Sequence, residues 1–336
     1  MPALLDEIYA KYKKSDRAYA VMLELTYRCV CRCVHCYIDD YASEELSTPE
    51  IVDLLDQLKD EGVLDIGLTG GEVFLRDDLE TILEEARRRG FVTYVLTTGI
   101  LINEKRADML KRNKIHHVEI SLMGATAETH DLVMRHPGAF NKTMNAVRLL
   151  TERGIPVVLK NSVLRQNFRE LPAMFKLAET LRLPFSANIS VLPRIDGTFD
   201  NQNCALDYQT ALSIDSSLMQ GGLLPNEDAR GGAKLTCNAG KTTCGISPTG
   251  IVYPCLIWRM PLGNVRENRF RDIWRDNPNE SLRRLRAMKG EDAKECFSCD
   301  YAKKCKRCPG LAFSETGDYL GPVESSCILA GKKAIK

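Results

Sequence analysis

The amino-acid sequence predicts an α/β fold: a partial (β/α)6 barrel of the TIM type followed by a small cysteine-rich domain. Three observations predict it. Short β-rich runs alternate with helix-length amphipathic segments between residues 20 and 195, the rhythm stops in a glycine-containing stretch at 196–235, and eight of the thirteen cysteines fall between Cys237 and Cys327. Alternating strand and helix patterns signal repeated βα units on a parallel sheet, and six such units suit an incomplete barrel better than the eight-unit form. An open doubly wound sheet is the other reading of the same pattern.

Taken in order, residues 1–19 form an N-terminal segment whose Asp6, Glu7 and Lys11 interrupt the apolar stretch that a signal peptide needs. Six strands follow in the barrel, 20–195: Val21–Thr26, Leu64–Thr69, Val92–Thr97, His117–Leu122, Pro156–Val163 and Ser186–Val191. Between them, Ser47-Thr48-Pro49-Glu50 supplies an N-cap, a first-turn proline and an early acid for one helix. Another helix starts near Asp77-Asp78 and stops at Gly90, a C-cap. The pairs Asp196-Gly197, Gly221-Gly222 and Gly231-Gly232 mark 196–235 as a linker, and a second domain is expected at 236–336. Within it, the arginines of Arg266 to Arg286 surround Phe270, Ile273, Trp274 and Leu282, as in an amphipathic helix with a basic solvated face. A docking surface for an acidic peptide is the sharper reading of that face.

Composition removes several function classes. Lys+Arg (46) and Asp+Glu (45) nearly cancel, so there is no overall basic field to hold nucleic acid. No run of about 18 apolar residues occurs, so no membrane-spanning helix is expected. The expectation is a soluble cytoplasmic protein. In that compartment thirteen cysteines point to metal ligation before disulfides.

Cys29-x3-Cys33-x2-Cys36 lies just past the first strand, where the strand-to-helix loops of a barrel build active sites. A cubane cluster normally takes four thiolates. Three ligands in one loop can hold three irons and leave the fourth open to a small molecule. Zinc is the alternative metal for such cysteines, with His35 as a nearby fourth ligand. Cys31 sits off the spacing and reads as a bystander.

Cys29, Cys33 and Cys36, followed by Tyr37, resemble the signature of the radical S-adenosylmethionine (SAM) superfamily. The resemblance implies that SAM chelates the open iron of a [4Fe-4S] cluster and is cleaved reductively to a 5′-deoxyadenosyl radical. Companion motifs follow in barrel order. Gly70, Gly71 and Glu72 end the second strand and resemble the family's motif for the SAM amino group, the glycines allowing close backbone approach and the carboxylate meeting an ammonium. Thr97, Ser121, Asn161 and Arg165, at or after the ends of strands three to five, are expected to reach the SAM ribose and carboxylate.

The tail reads Cys237-x12-Gly250-x4-Cys255, then Cys296-x2-Cys299-x5-Cys305-x2-Cys308, then Cys327; with Cys244 it holds the eight thiols two fully ligated cubanes need. Two zinc sites are the alternative. The pattern resembles the SPASM domain, the auxiliary-cluster extension of radical SAM enzymes. The resemblance implies one cluster on Cys237, Cys244, Cys255 and Cys308 and another on Cys296, Cys299, Cys305 and Cys327, three clusters in all. The gap before Cys308, Lys306-Arg307, is one residue shorter than the family's usual spacing. Cys204 is expected to be a free thiol.

Such enzymes most often modify peptides or proteins, so maturation of a ribosomal peptide is the expected function, with formylglycine formation or haem-precursor modification as alternatives. Formylglycine formation is disfavoured by Leu256, where the sulfatase-maturing relatives are expected to carry an aspartate base. An iron–sulfur electron-transfer protein or a zinc-binding module is the non-enzyme alternative. The resemblance further implies flavodoxin or ferredoxin as electron donor. Since only about twenty residues precede the first strand, any substrate leader would be bound by a separate small protein or by the enzyme's own surface.

Overall fold

A computed structural model describes residues 2–214, 237–302, 305 and 307–332. Its centre is a parallel sheet of β1 (Ala20–Thr26), β2 (Asp65–Gly70), β3 (Val92–Thr97), β4 (His117–Ser121), β5 (Val157–Ser162) and β6 (Phe185–Asn188), each paired in register with the next. All six expected strands are present, and the sheet is that of a partial barrel. The sixth is shorter than the sequence suggests, because Asn188 turns its side-chain oxygen onto the N–H of Ser190 at 2.9 Å and takes the chain off the ladder.

Helices α1 (Pro2–Lys14), α2 (Thr48–Asp60), α3 (Leu79–Arg88), α4 (Glu104–Arg112), α5 (Ala127–Met134), α6 (Ala139–Glu152) and α7 (Leu171–Leu181) precede or follow these strands. The start of α2 is the capping box the sequence announces: the Ser47 hydroxyl accepts from the Glu50 N–H, and the Glu50 carboxylate accepts from the Ser47 N–H at 2.7 Å. Strand alternation then sorts the faces. Val21, Leu23 and Leu25 of β1 join Ile51, Leu54, Leu55 and Leu58 of α2 in one core, leaving Met22, Glu24 and Thr26 on the opposite, inner face.

The cysteine-rich region is not a separate layer. Its first strand, β7 (Thr243–Ile246), pairs in parallel with β1, setting Ala20 opposite Thr243 and Leu23 opposite Ile246; β8 (Ile251–Tyr253) and β9 (Gly263–Asn264) then extend the sheet antiparallel. The first part of the expected linker carries a 3₁₀ turn at Asp200–Cys204 and a short helix at Tyr208–Ser213, while 215–235 lies outside the described residues.

The single helix expected across Arg266 to Arg286 is two pieces, a π-turn at Asp272–Asp276 and a helix at Glu280–Ala287. Pro278 divides them, because the residue before a proline is pushed out of the helical region. Its arginines are largely spent within the chain: Arg266 pairs with Glu50 at 2.7 Å, Arg275 with Glu61 at 3.1 Å, and Arg271 with Asp276 at 2.8 Å. Among the described residues no helix is long and apolar enough to cross a membrane.

Leu23 is fully buried on the one strand that joins the barrel sheet to the C-terminal hairpin. Leu23→Ala is expected to lower stability by about 3 kcal/mol, read as a shift in the urea midpoint; an unmoved midpoint would show that this strand does not carry the core.

Candidate active site

The site is organised by a backbone crossing. Gly70 sits at φ +133°, and a Cβ there would lie 2.1 Å from the Thr26 carbonyl oxygen; a Cβ on Gly71 would lie 2.2 Å from that of Arg28. The N–H groups of Gly71 and Glu72 instead donate to the Thr26 and Arg28 carbonyls, each at 2.8 Å. The two glycines therefore admit the chain that leads into the cysteine loop, and this close approach is to protein backbone.

The crossing delivers Glu72 beside the cysteines. Glu72 is fully buried, and among the described residues its partners are all neutral donors: the Thr97 hydroxyl at 2.7 and 2.9 Å, the Thr98 N–H at 3.0 Å and hydroxyl, and the Phe74 N–H at 3.3 Å. A buried carboxylate with no cation beside it fits an ammonium group such as that of SAM. Thr97 holds Glu72, a task shared by its neighbour Thr98 in the strand-end run Thr97-Thr98-Gly99.

The remaining expected cofactor contacts are distributed unevenly. Ser121 ends β4, half-buried on the inner face. Asn161 lies on the same side of β5 as Leu159, toward the helices, where its amide donates to the Leu122 carbonyl at 2.6 Å and its Oδ1 has no partner. Strand alternation gives the inner face of β5 to Lys160 and Ser162. Arg165 is exposed and donates to the Ala205 carbonyl at 2.6 Å, so its side chain is engaged with the segment after β6.

Cys29, Cys33 and Cys36 are half-buried in the loop after β1, and the Cys36 N–H donates to the Cys33 carbonyl at 3.1 Å. The fully buried Cys31 hydrogen bonds with Cys29, which together with burial raises the Cys29 pKa; burial likewise raises that of Cys36. His35 is half-buried, its Nδ1 is buried with no partner among the described residues, and desolvation lowers its pKa to about 4. Among the described residues no three His, Cys, Asp or Glu side chains converge as a single metal ion would require.

The C-terminal cysteines gather in two groups. Burial raises Cys255 to about 12, with further contributions from neighbouring Cys237 and Cys308, and Cys244 is buried next to Cys255. Cys296, Cys299, Cys305 and Cys327 line one pocket, where burial and the other three thiols raise Cys305 to about 11. These donor sets match in number and chemistry what two cubanes would use.

A buried polar network joins the two halves. Glu24 is fully buried on the inner face of β1, where it accepts from the Tyr37 hydroxyl at 2.6 Å, the Tyr27 hydroxyl at 3.1 Å and the Arg259 guanidinium at 2.7 Å. Arg259 comes from the loop after Cys255, also donates to Tyr27 at 3.1 Å, and lies over the Tyr37 ring at 4.9 Å. Tyr37 and Arg259 floor a cleft of about 180 Å³, open to solvent on one side, with Leu192, Arg194, Phe199 and Leu256 among its walls. Tyr37 is legible in the sequence from the cysteine-loop signature, and Glu24 only as an acid within the apolar run of β1; its partner Arg259 lies 235 residues away.

Comparison with known proteins matches residues 23–178 to the Radical SAM superfamily and residues 237–309 to an iron–sulfur cluster-binding domain, SPASM. The chain is 28% identical to an AdoMet-dependent heme synthase of Methanosarcina barkeri, over 92% of this chain and 96% of that one. It is 26% identical to a PqqA peptide cyclase of Granulibacter bethesdensis, over 92% and 87%. In fold it is similar to native anSMEcpe with bound AdoMet and Cp18Cys peptide, with a TM-score of 0.73 at 18% identity, covering 92% of this chain and 93% of that one.

Arg259→Ala leaves Glu24 a buried, uncompensated charge and is expected to cost about 3–5 kcal/mol, measured by chemical denaturation. Replacing both members by leucine should recover most of that loss. A single variant as stable as wild type would mean that the pair does not join the two halves.

Proposed function

Because the chain belongs to the radical SAM superfamily and carries its SPASM domain, we propose that it modifies a peptide, using SAM and three [4Fe-4S] clusters. Cys29, Cys33 and Cys36 would hold the cluster at which SAM would bind, and reductive cleavage of SAM there would supply hydrogen-atom abstraction from the substrate. The chain's own residues do the rest. Glu72 receives the ammonium of SAM, and the inner-face Ser121 is within the set that would meet its polar groups. Tyr37 and Arg259, held by Glu24, keep one side of the cleft fixed, and Leu192, Phe199 and Leu256 give it an apolar wall. The auxiliary clusters, on Cys237, Cys244, Cys255 and Cys308 and on Cys296, Cys299, Cys305 and Cys327, would leave no vacant iron, which suits electron transfer better than substrate ligation.

The observation that carries the peptide reading is the open cleft: one side chain can enter between the barrel and the C-terminal domain while the rest of a polymeric substrate stays outside. The similarity to a peptide cyclase across most of both chains supports it. Leu256 on the cleft wall disfavours formylglycine formation, because no carboxylate base stands there. Haem-precursor modification is the second reading, favoured by the similarity to a haem synthase. The arginines of the cleft weigh against it, since Arg259 is paired with Glu24 and Arg194 with Asp200, leaving neither to grip propionates. A flavodoxin or ferredoxin would supply electrons, and a separate small protein or the enzyme's own surface would hold any leader.

The test is anaerobic reconstitution of the full chain, expected to bind about twelve irons, followed by dithionite, SAM and the short peptide encoded beside its gene. Formation of 5′-deoxyadenosine with a mass change in the peptide is expected. Cys33→Ala should abolish both, and Cys327→Ala should retain SAM cleavage without peptide product. A mass change in an iron porphyrin bearing propionates, with none in the peptide, would overturn the peptide reading.

A further inference from the structure

The stretch after β6, from the end of the expected barrel into the expected linker, packs on the cysteine loop and grips its backbone. The Ile195 N–H donates to the Tyr37 carbonyl at 2.9 Å, and Arg194 donates to the Ile38 carbonyl at 3.2 Å. Between them stands Asn201, only 3% exposed, whose amide nitrogen lies 3.0 Å from the Cys36 carbonyl, 3.4 Å from that of His35 and 2.8 Å from that of Leu192. Three carbonyl oxygens around one terminal group fix its identity as the donor NH₂, since an oxygen there would face three acceptors. The other half of the amide is unsatisfied: among the described residues Oδ1 is buried with no partner. A buried amide kept with one half unpaired is costly, so the donor half is what the fold uses.

Asn201 is the side chain that reaches the carbonyl of the third cysteine itself. Arg194 acts two residues further on and shares its guanidinium with Asp200, and Ile195 contributes only backbone. We propose that Asn201 is a positioning residue for the first cluster: by tethering the His35 and Cys36 carbonyls to the Leu192 carbonyl, it sets the direction in which the Cys36 thiolate is presented. Groups that orient metal ligands govern how tightly the metal is held. The proposal rests on Cys29, Cys33 and Cys36 holding a cluster, and it is independent of what the substrate is.

The test uses the full reconstituted, reduced chain and follows the electron paramagnetic resonance signal that changes when SAM is added, a signature confined to the first cluster. Asn201→Ala, or the isosteric Asn201→Asp should alanine fail to fold, is expected to speed loss of this signal to an iron chelator about tenfold or more. The auxiliary-cluster signals should decay as in wild type. Gln202→Ala is the control: it removes the 2.8 Å bond from Gln202 to the Val191 carbonyl in the same segment without touching the cysteine loop, and should leave the decay unchanged. Wild-type decay in Asn201→Asp, or equal acceleration by Gln202→Ala, would overturn the proposal. A chain with no SAM-responsive signal even in wild type would instead refute the reading of the cysteine loop.

Discussion

Two stretches of backbone pass so closely that one of them, Gly70-Gly71, has no room for a β-carbon, and the site is built around that crossing. Gly70 and Gly71 press against Thr26 through Arg28, and the two N–H···O bonds between them hold the end of β2 to the chain entering the cysteine loop. The consequence is geometric coupling. The carboxylate that begins one residue beyond the glycines and the thiols that begin one residue beyond Arg28 cannot drift apart, whatever happens to the rest of either loop. The glycine pair joins the two loops and sets Glu72, with the threonines behind it, beside the thiols.

A second coupling runs across the molecule. The strand that precedes the cysteine loop lies between β2 and β7, and the acid in its middle meets an arginine from the region of the auxiliary cysteines. Burying such a pair costs desolvation of both charges, and the geometry offsets this with two tyrosine hydroxyls and a stacked ring. The cleft floor is thus made jointly by both regions, and its shape depends on their correct docking.

Much of the fold is legible in the sequence because its signals are local. The six barrel strands announce themselves by alternation and β-branched runs, the α2 cap by four consecutive residues, and the cysteine groups by spacing. What escapes is non-local. The run Thr-Cys-Gly-Ile of β7 is too short to declare itself a strand, and only its pairing with β1 makes it one. Glu24 stands out in an apolar strand, but nothing near it names Arg259. Asn201 hides in a stretch whose glycines read as a linker, since a buried amide has no periodic signature. Asn161 reads in the sequence only as a polar residue near a strand end; its bond to the Leu122 carbonyl is likewise non-local.

The position of β7 has a bearing on biogenesis. Until it arrives, β1 presents one side of Ala-Val-Met-Leu-Glu-Leu-Thr as an unpaired ladder edge, the kind of surface on which chains add to one another. A nascent polypeptide must carry that edge through the synthesis of more than two hundred further residues, so the barrel is vulnerable to self-association for most of its time on the ribosome. Cleaving the two regions apart would restore the same hazard permanently, which makes the cysteine-rich portion a guardian of solubility as well as a carrier of thiols.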